Sequence, residues 1–198
     1  YMNTKKKNNF FKSLRFRIMI ILVILGILPG VIITQLMVRN YEKEALEVRA
    51  GSVRTQCVIL CNQLIKENYL NDPSSENIDS KLEILSNMYG GRILLVDRDF
   101  RIVKDTYHVD EEKTLVSPRV IKCFKSGEST EYYKDGQTFQ IAVPIKSADV
   151  PQIQGAMLVT VSCGEIRATI IELEQQGMLI MAIIVVLSII LAYMLSTI

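Results

Sequence analysis

Histidine is nearly missing from this chain. His108 is the only one among 198 residues, and tryptophan is absent altogether. A Ser–His or Cys–His hydrolase needs an imidazole within reach of its nucleophile, and no Cys/His pair stands at useful spacing here. There is no G-x-S-x-G elbow, no P-loop, no H-E-x-x-H and no C-x-x-C. Hydrolytic chemistry would have to rest on carboxylates or lysine alone. No catalytic residue and no cofactor is therefore assigned within the segment.

Charge is missing from two long stretches. Ile18–Val38 and Met178–Ile198 each run 21 residues without Asp, Glu, Lys or Arg. Roughly 20 apolar residues in helix cover the ~30 Å hydrocarbon layer of a bilayer. Backbone groups in lipid must be bonded internally, so both stretches are predicted to be membrane helices. A cleaved signal peptide is the competing reading of the first. Its apolar core exceeds the usual ~7–15 residues, and no small-x-small cleavage site follows Val38.

Acidic charge is absent from the N-terminal arm, where Lys5, Lys6, Lys7, Lys12, Arg15 and Arg17 precede the first apolar run. The remaining 17 basic and all 21 acidic residues lie between Arg39 and Glu174. By the positive-inside rule the basic arm, residues 1–17, is cytoplasmic. Residues 39–177 are then outside, and 178–198 return inward as the second pass of a two-pass protein of the cell membrane. The outer segment is mildly acidic, which excludes nucleic acid as a partner and leaves the lipid bilayer as one. The basic flank expected inside the second span is missing after Ile198, so the chain reads as a fragment, and Tyr1 ahead of Met2 as a processing remnant.

Between the spans the pattern is helical, then extended, then helical. Leu46, Ala50, Val53, Cys57, Leu60 and Leu64 recur at helical spacing, predicting an amphipathic helix to about Tyr69. A second helix fits Ile78–Met88 and stops at Gly90-Gly91. Arg92–Val96 and Phe100–Lys104 read as a strand pair about the turn Asp97–Asp99. Ser117–Lys125 suits a short helix, and Glu131–Lys134 pairs with Gln137–Ile145 across Asp135-Gly136. Gly155–Val161 is apolar on both faces and so is predicted to be a central strand. Ser162-Cys163-Gly164-Glu165 matches a capping box that opens a helix running into the second span. The class is α+β, predicted as an antiparallel sheet with helices on one side.

The order helix, "GGRILLVDRDFRIVKDT", short helix, "EYYKDGQTFQIAVPI", "GAMLVTVS", helix resembles the PAS-like extracytoplasmic sensor domains of the Cache type. These sit between two membrane helices in bacterial sensor histidine kinases. The resemblance implies signal sensing as the input half of a two-component system, a homodimer, a small-molecule ligand and a cognate response regulator. A HAMP linker would follow the chain, then a kinase part that takes ATP and magnesium. A chemotaxis receptor or a cyclic-dinucleotide enzyme could use the same input domain. A structural envelope scaffold is the alternative from another class. In PAS-like sensors the ligand lies between a sheet face and the helix that crosses it, which here implies Tyr107, Arg119, Tyr132 and Gln140, or else plain surface residues.

Three smaller groups each leave two readings open. His108 beside Asp110, Glu111 and Glu112 suits a proton or divalent-cation sensor, or a solvated loop. Cys57, Cys61, Cys123 and Cys163 would stand where disulfides form; they bond across a dimer or pack as buried free thiols. Gly26-x-x-x-Gly30 lets helices approach closely, so it marks a dimer seam or, with Pro29 inside it, a kink.

Overall fold

The computed structural model describes residues 14–134, 138–146 and 152–197. The chain divides into two compact units: 44–167, and a second made of the chain up to Lys43 together with Ala168 onward.

Unit 44–167 is α+β. Helix α1 (Leu14–Lys66) supplies its second half to this unit, followed by α2 (Glu76–Met88), β1 (Arg92–Asp97), β2 (Ile102–Asp105), α3 (Pro118–Ser126), β3 (Thr130–Lys134), β4 (Thr138–Lys146) and β5 (Ile153–Ser162). The last helix, α4 (Gly164–Thr197), starts in this unit and continues into the other. The expected helices and strands are all present, with ends moved by a few residues. The Asp135-Gly136 turn lies outside the described residues.

The strands form one sheet in the order β2-β1-β5-β4-β3, every pairing antiparallel. β5 is central, as its apolar character on both faces requires. One face carries Ile93, Leu95, Phe139, Ile141, Val143, Met157 and Val159 and packs under α1 and α2. The α1 stripe Ala50, Val53, Cys57, Leu60 and Leu64 is buried there, as are Ile78, Leu82 and Leu85 of α2. Each fully buried Val, Leu or Ile among them contributes roughly 1.5–3 kcal/mol of burial.

The other face carries Leu94, Val96, Ala142, Ala156 and Leu158, against which α3 sets Val120 and Cys123. This corrects the one-sided layer expected from sequence. Strand residues point alternately to opposite faces, so a strand apolar at every position needs cover on both.

Two glycines fix how closely β1 and β5 approach within the sheet. A Cβ at Gly91 would stand 1.8 Å from the Thr160 carbonyl oxygen, and one at Gly155 would stand 2.6 Å from that of Val96. The β1–β5 seam tolerates no side chain at either point.

The second unit holds the first part of α1 and most of α4. α1 and α4 are both long and apolar enough to cross a membrane. Helix α1 continues through Pro29 without a break. Side chains such as Ile21, Leu25, Ile33 and Leu187 are more than half exposed, the surface expected of a helix solvated by lipid.

Candidate functional site

The α3 face of the sheet ends in a polar row set by strand register. Arg92 of β1 pairs with Thr160 of β5, Thr160 with Gln140 of β4, and Gln140 with Tyr132 of β3. Neighbouring strands are about 4.8 Å apart, so the row extends ~14 Å across four strands. Arg92, Thr160 and Gln140 continue the alternation of Leu94, Leu158 and Ala142, the residues beneath α3.

At the β4 end, Gln140 Nε2 donates to Thr160 Oγ1 at 3.0 Å, and the Arg119 guanidinium of α3 donates to Gln140 Oε1. Pro118 at the first turn and Ser117 at the N-cap start α3 where Arg119 can reach the sheet. Of the four residues implied as ligand contacts, the structure joins Arg119 to Gln140 directly and makes Tyr132 the register partner of Gln140. Tyr107 is not with them.

Tyr107 belongs to the β1 end, where Arg92 is the hub. The Arg92 guanidinium lies 5.7 Å from the centre of the Tyr107 ring. Its Nε donates to Asp105 Oδ1 at 2.8 Å, and its Nη2 to Asp105 Oδ2 at 2.5 Å and Asp110 Oδ2 at 2.6 Å. Asp105 is completely buried. Its carboxylate also accepts the backbone N–H groups of Tyr107, Val109 and Asp110 at 2.9–3.0 Å. Burial alone would raise the Asp105 pKa. The Arg92 bonds and the three backbone donors outweigh it and hold the group well below the usual carboxylate range. Arg92 is driven up, first by its bonds to Asp105. Asp110 is lowered by Lys113 and then by Arg92.

The acidic loop winds around Asp105. His108 and Glu112 take left-handed backbone angles, with φ of 54° and 66°. His108 Nδ1 lies 3.0 Å from Glu111 Oε1, whereas Asp110 turns to Arg92 and Lys113 and Glu112 is exposed. Among the described residues no group of three His, Cys, Asp or Glu side chains is placed to hold a metal ion. From Glu111, contacts lead on through Lys104 (4.0 Å) to Asp79 (3.3 Å), which accepts the hydroxyl of the buried Tyr69 in the turn after α1.

All four cysteines are buried, and no disulfide joins them among the described residues. Burial pushes the Cys57 thiol up to about 12 and Cys123 to about 11, and Cys61 is raised too. Cys57 and Cys61 pack under α1 and Cys123 under α3 as neutral thiols among apolar side chains, and the reactive form is the thiolate. A cavity of about 660 Å³ opens on the α1 side, beside Arg54, Cys61, Gly127, Val143 and Lys146, and none of the four implied ligand residues lines it.

Sequence reasoning missed Arg92, Asp105 and Lys104. The available signal was charge at the ends of apolar strands: Arg92 opens β1 and Asp105 closes β2.

The five-stranded sheet, the long N-terminal helix and the sheet-crossing helix define a PAS-like sensor-domain fold. Among solved structures, an extracellular ligand binding receptor from Desulfohalobium retbaense DSM5692 is similar, with a TM-score of 0.53 and 14% identity over 69% of this chain and 26% of that one. The sensor domain of the V. cholerae histidine kinase DctB is similar with a TM-score of 0.51 and 14% identity, over 67% of this chain and 55% of that one. At such identity the likeness is one of fold, and the chain spans about a quarter and about half of those two structures. No family model and no curated protein matches the sequence.

Proposed function

We propose that the chain is the input part of a two-component sensor histidine kinase. Residues 39–177 form a single Cache domain outside the cell, held by two membrane helices and paired with a second copy. Ligand capture on the α3 face shifts the balance between two arrangements of the domain, and α4 carries the change inward. The kinase part beyond Ile198 uses ATP and magnesium to phosphorylate a response regulator.

One observation carries this reading. A unit with the PAS-like strand order continues, through α1 at one end and α4 at the other, into helices apolar enough to cross a membrane. Such a domain has its two helices as its only covalent routes to the cell interior. The six N-terminal cations support the direction assigned.

The ligand class follows from Arg119. A guanidinium held at the sheet face beside Gln140 can take a small carboxylate through charge-assisted bonds, which are stronger than bonds between neutral groups. Small carboxylic acids are therefore the first candidates. The full chain in lipid nanodiscs is expected to be stabilised by at least one of them, by about 2.7 kcal/mol at a hundredfold excess over Kd. Arg119→Ala is expected to abolish that thermal shift while leaving the unliganded melting temperature nearly unchanged. A shift that survives Arg119→Ala would move the ligand elsewhere, and no shift with any acid would remove this ligand class.

A further inference from the structure

The G-x-x-x-G spacing in α1 identifies a surface for close approach without identifying the partner. In the membrane unit that partner is α4 of the same chain. A Cβ at Gly26 would meet Ile184 Cγ2 and Ser188 Oγ, each at 3.3 Å. One at Gly30 would meet Met181 Cγ at 3.4 Å. From the opposite helix, Gly177 is buried, and a Cβ there would stand 2.6 Å from Thr34 Cγ2 and 3.0 Å from its Oγ1.

The contacts run in antiparallel order. Moving along α1 from Gly26 to Gly30 to Thr34, the facing residue in α4 falls from Ser188 and Ile184 to Met181 to Gly177. Glycines occur on both helices, so each backbone is admitted by the other. The fit is loose at Gly26 and Gly30, where a methyl group meets atoms at ordinary or slightly short range. It is tightest at Gly177, where a methyl group would have to displace the stiff, β-branched Thr34 side chain.

We infer that Gly26, Gly30 and Gly177 form an intrachain seam that fixes the axial register of α4 against α1, with Gly177 under Thr34 as its stop. The glycine face is consumed within one chain, and pairing of two copies in the membrane uses other faces. An axial shift of α4 must lift Gly177 off Thr34, so this contact sets which register the second span adopts. The inference rests on the proposed reading of both helices as membrane spans.

Cysteine pairs test it in the full chain, expressed in membranes. Under mild oxidation Gly30→Cys with Met181→Cys is expected to close a disulfide within one chain. Gly26→Cys with Ser188→Cys should do the same, and each single variant should give neither product. Adding Gly177→Ala is expected to slow intrachain closure about tenfold by overpacking the seam, and Thr34→Ala in the same chain should restore it. Disulfides between chains, or a Gly177→Ala variant that closes at the parent rate, would overturn the seam. Labelling of positions 30 and 181 by a membrane-impermeant maleimide is a separate failure, because it would overturn the spanning helices themselves.

Discussion

Asp105 is the residue on which the β1 end of the site depends. Its buried carboxylate gathers Arg92 and three backbone N–H groups, and the loop that carries His108, Asp110 and Glu111 is wound on that one acceptor. Asp105→Asn removes the charge and leaves a half-buried guanidinium short of a partner. The expected cost is about 3 kcal/mol in urea unfolding. The pH dependence has a definite sign. Asp105 is depressed on folding, so its contribution is complete above the unfolded carboxylate pKa near 3.9 and is lost as pH falls toward the lower folded value. The wild-type chain should lose stability on acidification below about pH 4, and Asp105→Asn should flatten that limb of the curve. An unchanged acid limb would show that the stabilisation comes from elsewhere. The strand pair was legible from the sequence but the ion pair was not, because Arg92 and Asp105 are 13 residues apart and meet only through the register in which Asp105 faces Leu94.

At the scale of elements, the sheet was legible in detail and its cover was not. Alternation along Phe139, Ile141, Val143 and Ile145 gave β4 its buried face, and the unbroken apolar run of β5 placed it at the centre. The amphipathic pattern of Pro118–Ser126 shows that α3 has an apolar side without saying which face of the sheet it covers. That choice depends on the crossover between β2 and β3, a three-dimensional fact. The motif at Gly26 and Gly30 has the same character, since spacing defines the groove and only the fold supplies what fills it. By sequence pattern Gly91 is a helix stop and Gly155 a strand start. Their stronger role is to let strand backbones meet. Gly91→Ala drives a methyl group into the Thr160 carbonyl and is expected to cost about 3 kcal/mol or more. Gly51→Ala, with open space around its Cβ and a helical setting in α1, should instead stabilise by about 1 kcal/mol. Equal effects from the two glycines in a denaturant series would contradict the packing described for the β1–β5 seam.

In the whole molecule as proposed, a folded α+β unit stands on one side of a membrane and is reached from the other only through two helices. The apolar runs and their flanking charges are the sequence features that support this proposal, because a bilayer imposes a length and a charge asymmetry that one chain can display. What the unit binds is not readable in the same way, since the polar row from Tyr132 to Arg92 is assembled by register across four strands. Side-specific labelling of intact cells tests this topology. Glu83→Cys, at an exposed position of α2, should react with a membrane-impermeant maleimide before lysis, and Lys6→Cys only after the membrane is opened. The reverse pattern, with position 6 labelled on intact cells and position 83 protected, would contradict it.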